Sequence, residues 1–422
     1  MPGAKEPWSG CEEDSVTPWY QDPVQFIAEW LRGVLLGWGM PPDGVELVLT
    51  VLGAGTIALL AMLWVVFLIW YERKLIGRIQ DRFGPNRVGP WGIFQPIADM
   101  LKIFTKEYIT PEGVDRVSYN LAPVLAVASV LLIWAVIPFT MTVMGVNLNV
   151  GLVYIIASGG LGVLGIILAG WSSNNKYALL GGFRAVAQLV SYEVPMVVSL
   201  LIPVILAGSL GVNDIVMAQR IPYLISAPVA ALIFFITSMA ETGRSPFDLT
   251  EAESEIVAGF NIEYSGLKFG MFYVAEFLHA FTVSLLFATL FLGGWRGPLA
   301  EQIPLLGFVY LVVKTFVVYF VVILFRGSLP RFRIDQMMDL NWKLLTPLAL
   351  VSLIVSALVA KPLEGMPVAQ TLALLVSNGI VLILFIEGTG KKVQRRREIV
   401  GKPRPLAVPH PEEQQGAQST GG

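Results

Sequence analysis

Residues 46–70 read ELVLTVLGAGTIALLAMLWVVFLIW, and no charged residue follows Glu46 within this run. A helix that crosses a hydrocarbon core of about 30 Å needs about 20 consecutive apolar residues. The run therefore predicts a membrane-spanning helix. Because backbone polar groups in lipid must be satisfied internally, a helix is the form that a single apolar segment adopts there.

Similar runs follow along the chain, and the overall composition agrees with them. Of the 422 residues, 55% are hydrophobic and 14% are charged, whereas soluble domains carry about 25% charged residues. The sequence predicts an all-α polytopic membrane protein with about nine spans and long structured loops. The nine predicted spans are 46–70, 119–140, 151–170, 182–208, 223–240, 270–294, 303–325, 344–362 and 368–388.

Basic residues predict the orientation of these spans. Most Lys and Arg residues lie in the loops after the first, third, fifth and seventh spans and in the tail after the ninth. Loops rich in Lys and Arg face the cytoplasm. We therefore expect the N-terminus outside and the C-terminus in the cytoplasm. The segment 26–36, too short and too charged to span, is expected to be an interfacial helix.

The chain has few residues that bind redox metals. It contains one cysteine, Cys11, and two histidines, His279 and His410. Iron–sulfur clusters need several thiolates, haem usually needs an axial histidine, and structural zinc needs about four ligands. We expect no metal site in this chain, so any electron that reaches it must come from a partner.

The loop between the first two spans is too long to be a bare connector. Gly-Pro turns at 84–85 and 89–90 interrupt it, and an amphipathic segment follows at 96–105. A folded cap on the membrane surface is one interpretation. A cleft for a flat apolar ligand is the other, because Phe83, Trp91 and Phe94 lie on the turns.

The loop after the fifth span gathers carboxylates. Ser245, Pro246 and Asp248 have the spacing of a helix start, with Asp248 as the acid of a capping box. That spacing does not explain the three further acids Glu251, Glu253 and Glu255. A solvated acidic face is one interpretation. The other is a set of proton-holding groups, because close carboxylates raise one another's pKa.

Ionisable residues inside predicted spans add to the second interpretation. Such residues are costly in lipid and often mark ion or proton routes. Each can instead be a structural pair partner, and a lone histidine on an apolar helix is more often a satisfied core residue. The residues are Arg184, Glu193, Glu276, His279 and Lys314, with Glu263 beside the acidic loop.

Several motifs together resemble a family of membrane subunits of respiratory complex I, the H subunits of NADH–quinone oxidoreductase. The resemblance covers residues 45 to 362 in order. The motifs are 72–74 (ERK), 84–90 (GPNRVGP), 95–102 (QPIADMLK), 104–107 (FTKE), 184–188 (RAVAQ), 191–194 (SYEV), 246–249 (PFDL), 251–255 (EAESE), 259–264 (GFNIEY) and 330–335 (PRFRID).

The resemblance implies roles for individual residues. Residues implied to line or support a quinone cavity are Glu72, Arg73, Arg82, Phe94, Asp99, Arg244 and Phe247. Residues implied to form an acidic funnel from that cavity are Asp248, Glu251, Glu253, Glu255 and Glu263, continued into the membrane by Glu193 and Glu276. Residues implied to brace the loop after the seventh span are Arg331, Arg333 and Asp335.

The resemblance also implies a domain plan and a setting. The core is 45–362; we expect an N-terminal extension at 1–44, an additional span at 363–390 and a basic, then disordered, tail at 391–422. Quinone is expected as the substrate, with no covalently bound cofactor. Iron–sulfur clusters and FMN are expected only in partner subunits of the hydrophilic arm, beside antiporter-like and small membrane subunits. The implied location is the bacterial plasma membrane.

The expected function is that of one subunit in a proton-pumping translocase, not catalytic alone. The chain would form the membrane side of the quinone cavity and part of the proton pathway. An alternative is an ion-translocating subunit of a related membrane-bound hydrogenase complex without a quinone site. A free-standing transporter is disfavoured because no internal repeat is evident. The sequence leaves ubiquinone and menaquinone both open.

Overall fold

The computed structural model describes residues 23–249, 259–363 and 365–401. These residues form helices and no β-strand. The chain divides into two compact units, Met1–Gly379 and Ile380–Gly422. Every tertiary contact discussed below lies within the first unit. The expected acids Glu251, Glu253 and Glu255 lie outside the described residues.

Fourteen α-helices are present in the described residues. Their bounds are α1 Pro23–Gly37, α2 Pro42–Ile79, α3 Gln95–Thr105, α4 Arg116–Trp134, α5 Gly151–Ser172, α6 Lys176–Ala207, α7 Val212–Ala218, α8 Tyr223–Ser226, α9 Pro228–Glu241, α10 Gly266–Phe291, α11 Pro304–Ser328, α12 Ile334–Leu340, α13 Thr346–Ala360 and α14 Pro367–Gly401. Short helical turns at Pro90–Gly92, Gly259–Asn261, Asn341–Leu345 and Lys361–Leu363 complete the list.

Eight helical segments in the described residues are long and apolar enough to cross a membrane. They correspond to eight of the nine predicted spans and confirm the polytopic all-α class. The fifth predicted span, 223–240, is instead divided into α8 and α9, and the 14 residues of α9 extend about 21 Å at 1.5 Å per residue. The total of nine and the orientation stay predictions.

The helix at the centre of the bundle is α10. It packs against α2, α4, α9 and α11, and nearly all of its residues from Phe277 to Phe291 are buried. A helix that is apolar on every side is expected to be surrounded by others. Any ionisable residue on α10 therefore faces neighbouring helices.

Two glycines let α6 contact the segment that leads into α10. A Cβ atom on Gly181 would lie 2.6 Å from the Cα atom of Gly259, too close for any side chain. Gly259 itself has φ +70°, a conformation that favours glycine. The absence of both side chains brings the backbone of 259–261 directly onto α6.

The additional C-terminal span is attached through a buried amide. Asn378 of α14 is fully buried and accepts a hydrogen bond from Ser352 Oγ of α13 at 3.1 Å. Its Nδ2 lies 3.5 Å from Ser356 Oγ and donates to the Leu374 carbonyl at 3.0 Å. Hydrogen bonds of this kind hold neighbouring helices together in membranes.

Replacing Asn378 with leucine should weaken this attachment by about 1 kcal/mol, the typical value for one interhelical hydrogen bond in a membrane. The measurement is the thermal unfolding midpoint of the purified protein in detergent. Ser377→Ala is the matched control, because Ser377 Oγ bonds only to the Leu374 carbonyl within its own helix. Equal shifts in the two variants would contradict the attachment.

Candidate functional site: a buried charge network between two cavities

The charge network begins at Glu72, near the end of α2. The side chain is buried although it carries a carboxylate. Its Oε1 atom accepts from Arg244 and from Arg326, and Tyr319 donates its hydroxyl to Oε2 at 2.8 Å. A buried charge needs such partners, because removal from water costs several kcal/mol per ion.

Arg244 extends the network to α10. It is 2% exposed, and its Nε atom lies 3.4 Å from Glu276 Oε1. Its guanidinium carbon lies 4.6 Å from the ring centroid of Phe277, in cation–π geometry. Arg244 therefore contacts both Glu72 and Glu276. Because both carboxylates contact the same guanidinium, a change in the charge of one alters the electrostatic potential at the other.

The larger of the two cavities, here named the α2–α3 cavity, has a volume of about 890 Å³. Its walls come from α2, α3 and the segment 261–277, and apolar side chains dominate them. Charged side chains at its edge are Arg73, Asp99, Lys102 and Lys106. Ligand pockets of about 300–1,000 Å³ with apolar walls and a few polar groups are typical of sites for small molecules.

An ion pair joins α2 to α3 at the edge of this cavity. Arg73 Nη1 lies 2.5 Å from Asp99 Oδ2, and Lys102 Nζ lies 3.5 Å from Asp99 Oδ1. Burial raises the pKa of the Asp99 carboxyl. A larger opposite effect comes from the hydrogen bond that it accepts from Arg73, from the charges of Arg73 and Lys102, and from a hydrogen bond from Gln95. The net pKa lies below the usual value, so Asp99 is ionised at neutral pH.

The smaller cavity, here named the carboxylate cavity, has a volume of about 110 Å³. It lies between α4, α5, α9 and α10, and Glu241, Glu276 and His279 line it. Glu193 of α6 is close enough to Glu241 for their charges to interact. Glu276 thus belongs to the carboxylate cavity and also contacts Arg244, which contacts Glu72.

The residues expected at the quinone cavity fall into four groups, the last of which is Phe247 alone. Arg73 and Asp99 line the α2–α3 cavity, and Arg73 also lines a separate cavity of about 390 Å³ with Arg82. Glu72 and Arg244 form the buried network instead. Phe94 is largely exposed, beside Gly89.

Phe247 is a packed residue. It is buried, with ring centroids 5.5 Å from Tyr192 and 5.6 Å from Phe332. It therefore lines neither named cavity. Its packing holds the turn after α9 against α6 and against the segment before α12.

The expected helix start at Ser245 is wrong for residues 245–249, which form turns. The reason is Gln188 of α6, whose buried Nε2 donates to the carbonyls of Ala240 at 2.7 Å and Phe247 at 2.8 Å. The Phe247 carbonyl is therefore bonded to a side chain rather than within a helix. Asp248 is partly buried in this turn.

Glu263 lies at a different place from the carboxylate cavity. Asn175, the N-cap of α6, donates to Glu263 Oε1 at 2.7 Å, and the Tyr119 hydroxyl donates to the Glu263 carbonyl at 2.7 Å. The side chain is partly buried. These bonds connect Glu263 to the start of α6.

Sequence reasoning missed three residues of the site. Glu241 is the last residue of α9, and Tyr319 and Arg326 lie on α11. Glu241 could have been identified from the sequence, because it is a carboxylate at the end of an apolar helix. Arg326, in the loop after the seventh predicted span, was used only to predict orientation. A tyrosine in an apolar helix, such as Tyr319, does not by itself indicate a functional site.

Lys314 supports the structural alternative for ionisable residues in spans. Its Nζ donates to the carbonyls of Gly294 and Arg296, each at 2.8 Å. Lys314 thus fastens the loop after α10 to α11. Within 23–249, 259–363 and 365–401, no three His, Cys, Asp or Glu side chains are grouped as metal ligands would be.

Comparison with known proteins shows the family of the chain. The model of the NADH dehydrogenase family matches residues 53–357, a range that includes both cavities and the charge network. The chain belongs to the NADH dehydrogenase family. Family members of high similarity include the NADH-quinone oxidoreductase H subunit of Dehalococcoides mccartyi (strain CBDB1), 50% identical over 293 residues, which cover 69% of this chain and 82% of that relative.

Two further members of the NADH dehydrogenase family match over most of their length. The NADH-quinone oxidoreductase H 2 subunit of Geobacter sulfurreducens is 46% identical over 74% of this chain and 98% of the relative. The NADH-quinone oxidoreductase H subunit of Geobacillus sp. (strain WCH70) is 46% identical over 73% of this chain and 93% of the relative. The chain therefore resembles these relatives across nearly their whole sequences.

Glu72→Gln should destabilise the protein by about 3–5 kcal/mol, because it removes the charge that compensates buried Arg244. Thermal unfolding of the purified protein measures this. The matched control is Glu46→Gln. Glu46 lies on the same helix as Glu72, and its carboxylate forms an exposed ion pair with Arg32 at 2.9 Å. An unfolding midpoint that falls no further in Glu72→Gln than in the control would show that the network is not a stabilising one.

Proposed function

We propose that this chain is the membrane subunit of a proton-pumping NADH–quinone oxidoreductase that forms the membrane side of the quinone cavity. The relatives carry the name of that complex. The observation that carries the proposal is the contact of Arg244 with both Glu72 and Glu276. This contact joins Glu72 on α2 to Glu276, which lines the carboxylate cavity. The chain is a multi-pass membrane protein, and we assign it to the bacterial plasma membrane.

The α2–α3 cavity suits a lipid-soluble quinone. Its walls are mostly apolar, as an isoprenoid tail requires, and its charged edge holds Arg73 and Asp99. The open cavity favours this function over that of a hydrogenase-type subunit without a quinone site. Electrons would come from iron–sulfur clusters of a hydrophilic-arm partner, with FMN held further away in that arm.

Reduction of a quinone to a quinol takes up two electrons and two protons, so charge appears and disappears beside the network. Unit charges 4 Å apart interact by about 4 kcal/mol at an effective dielectric of 20. That energy corresponds to nearly three pKa units. A charge that forms near Glu72 would alter the pull of Arg244 on Glu276 and thereby the proton affinity of the carboxylate cavity.

The proton pathway in this proposal has two parts. Within the described residues it comprises Glu193, Glu241 and Glu276. Asp248 and Glu263 belong to it on the family resemblance alone. The acids Glu251, Glu253 and Glu255 belong to it on the sequence pattern alone. Antiporter-like and small membrane subunits of the complex would receive the signal or the proton from this pathway.

Val66→Trp should raise the KM for quinone roughly tenfold, because the larger side chain fills part of the α2–α3 cavity that Val66 lines. Such a loss equals about 1.4 kcal/mol of binding. The measurement is NADH-driven quinone reduction in membranes, with NADH oxidation by an artificial acceptor as the check on assembly. Leu63→Trp is the matched control, on an exposed position of the same helix. An unchanged KM in Val66→Trp would exclude this cavity as the quinone site.

Glu241→Gln should slow coupled quinone reduction and proton pumping together by about tenfold or more, because the amide cannot take up a proton in the carboxylate cavity. Proton uptake by inverted vesicles and quinone reduction are measured side by side. The control is Glu301→Gln, at an exposed carboxylate that pairs with Arg296. Full pumping at the full rate in Glu241→Gln would remove the carboxylate relay from the mechanism.

A further inference from the structure

Among the described residues, His279 is the one nitrogen base on the wall of the carboxylate cavity. It follows Glu276 by three residues on α10, so both side chains lie on one face of the helix. Its Nε2 atom lies 3.7 Å from Oε1 of Glu241. An imidazole and two carboxylates therefore share one small cavity.

The Nε2 atom is not satisfied in the way that a structural histidine requires. It is buried and has no hydrogen-bond partner among the residues that the structure describes. The other polar side chains of the cavity bond elsewhere, since Ser129 donates to the Ala126 carbonyl and Thr242 to the Met239 carbonyl. A buried polar group without a partner is rare in folded proteins and calls for an explanation.

The cavity provides space through which a proton can move. Its volume of about 110 Å³ is enough for several water molecules. Gly159 of α5 lines the cavity beside Glu241. The remaining lining residues are mostly apolar, so few groups in the cavity can bind a proton.

The ionisable groups that the described residues place around His279 belong to the pathway or to its charge network. Glu241 faces it from α9 and Glu276 from α10, while Glu193 on α6 interacts with Glu241. Arg244 contacts Glu276 and so reaches the cavity only through that carboxylate. The described residues of α4 and α5 contribute no ionisable side chain to the cavity.

We propose that His279 is a proton carrier of this pathway, which accepts a proton at Nε2 from Glu241, directly or through one water molecule. This inference rests on the proposed function. The transfer converts a neutral carboxyl and a neutral imidazole into a carboxylate and an imidazolium, and no electron moves. An imidazole nitrogen can take up and release a proton, as in a proton shuttle, whereas a side-chain amide cannot.

The test uses the assembled complex in inverted membrane vesicles, with the variants His279→Asn and His279→Gln. Both amides keep polarity and cannot be protonated near neutral pH. Proton pumping per quinone reduced is measured in each variant and in the unchanged chain. NADH oxidation by an artificial acceptor reports assembly, and His410→Asn is the control for loss of a histidine elsewhere.

We expect pumping to fall roughly tenfold in both His279 variants, as in Glu241→Gln, because the amides cannot carry the proton that both groups serve. The double variant His279→Asn, Glu241→Gln should pump no less than Glu241→Gln alone, because both groups serve one proton. Effects that add would overturn the role of His279.

The two proposals fail in different ways. Full coupling in Glu241→Gln would remove the carboxylate relay and the histidine with it, whereas an unchanged KM in Val66→Trp would refute the quinone site of the proposed function. Impaired coupling in Glu241→Gln together with normal pumping in His279→Asn and His279→Gln would refute the histidine alone. If only one amide variant assembles, that variant still decides the question.

Discussion

The burial of the Glu72 carboxylate is the constraint on which the rest of the structure depends. A charge removed from water needs partners, and here two arginines and a tyrosine supply them from distant parts of the chain. Arg244 follows α9 and Arg326 lies in the last turn of α11, so these elements must meet α2 at one point. The same contact places Arg244 against α10, and the two cavities are therefore fixed relative to one charged cluster.

The second organising element is α10. Its apolar faces are surrounded by α2, α4, α9 and α11, which allows Glu276 and His279 to be polar groups on an otherwise apolar helix. A flexible or exposed helix could not hold ionisable groups in fixed geometry. Rigid packing along α10 thus lets a local change in charge act on a defined neighbour rather than be screened by solvent.

The sequence was sufficient for eight of the nine predicted spans, because hydropathy is a property of local segments. It could not predict which charges meet. Glu72 is separated from Arg244 by 172 positions and from Arg326 by 254, and only helix packing brings them together. The false helix start at Ser245 has the same origin, since the decisive amide, Gln188, lies on another helix.

The buried amide of Asn378 has a consequence for how the chain enters the bilayer. An amide facing acyl chains would oppose insertion of α14 as an isolated helix, because its polar atoms would find no acceptor outside the helix. Ser352 and Ser356 lie on the helix that emerges just before it from the ribosome. We therefore expect α13 and α14 to enter the bilayer together as a helical hairpin, in which Ser352 and Ser356 of α13 provide hydrogen-bond partners for Asn378 of α14.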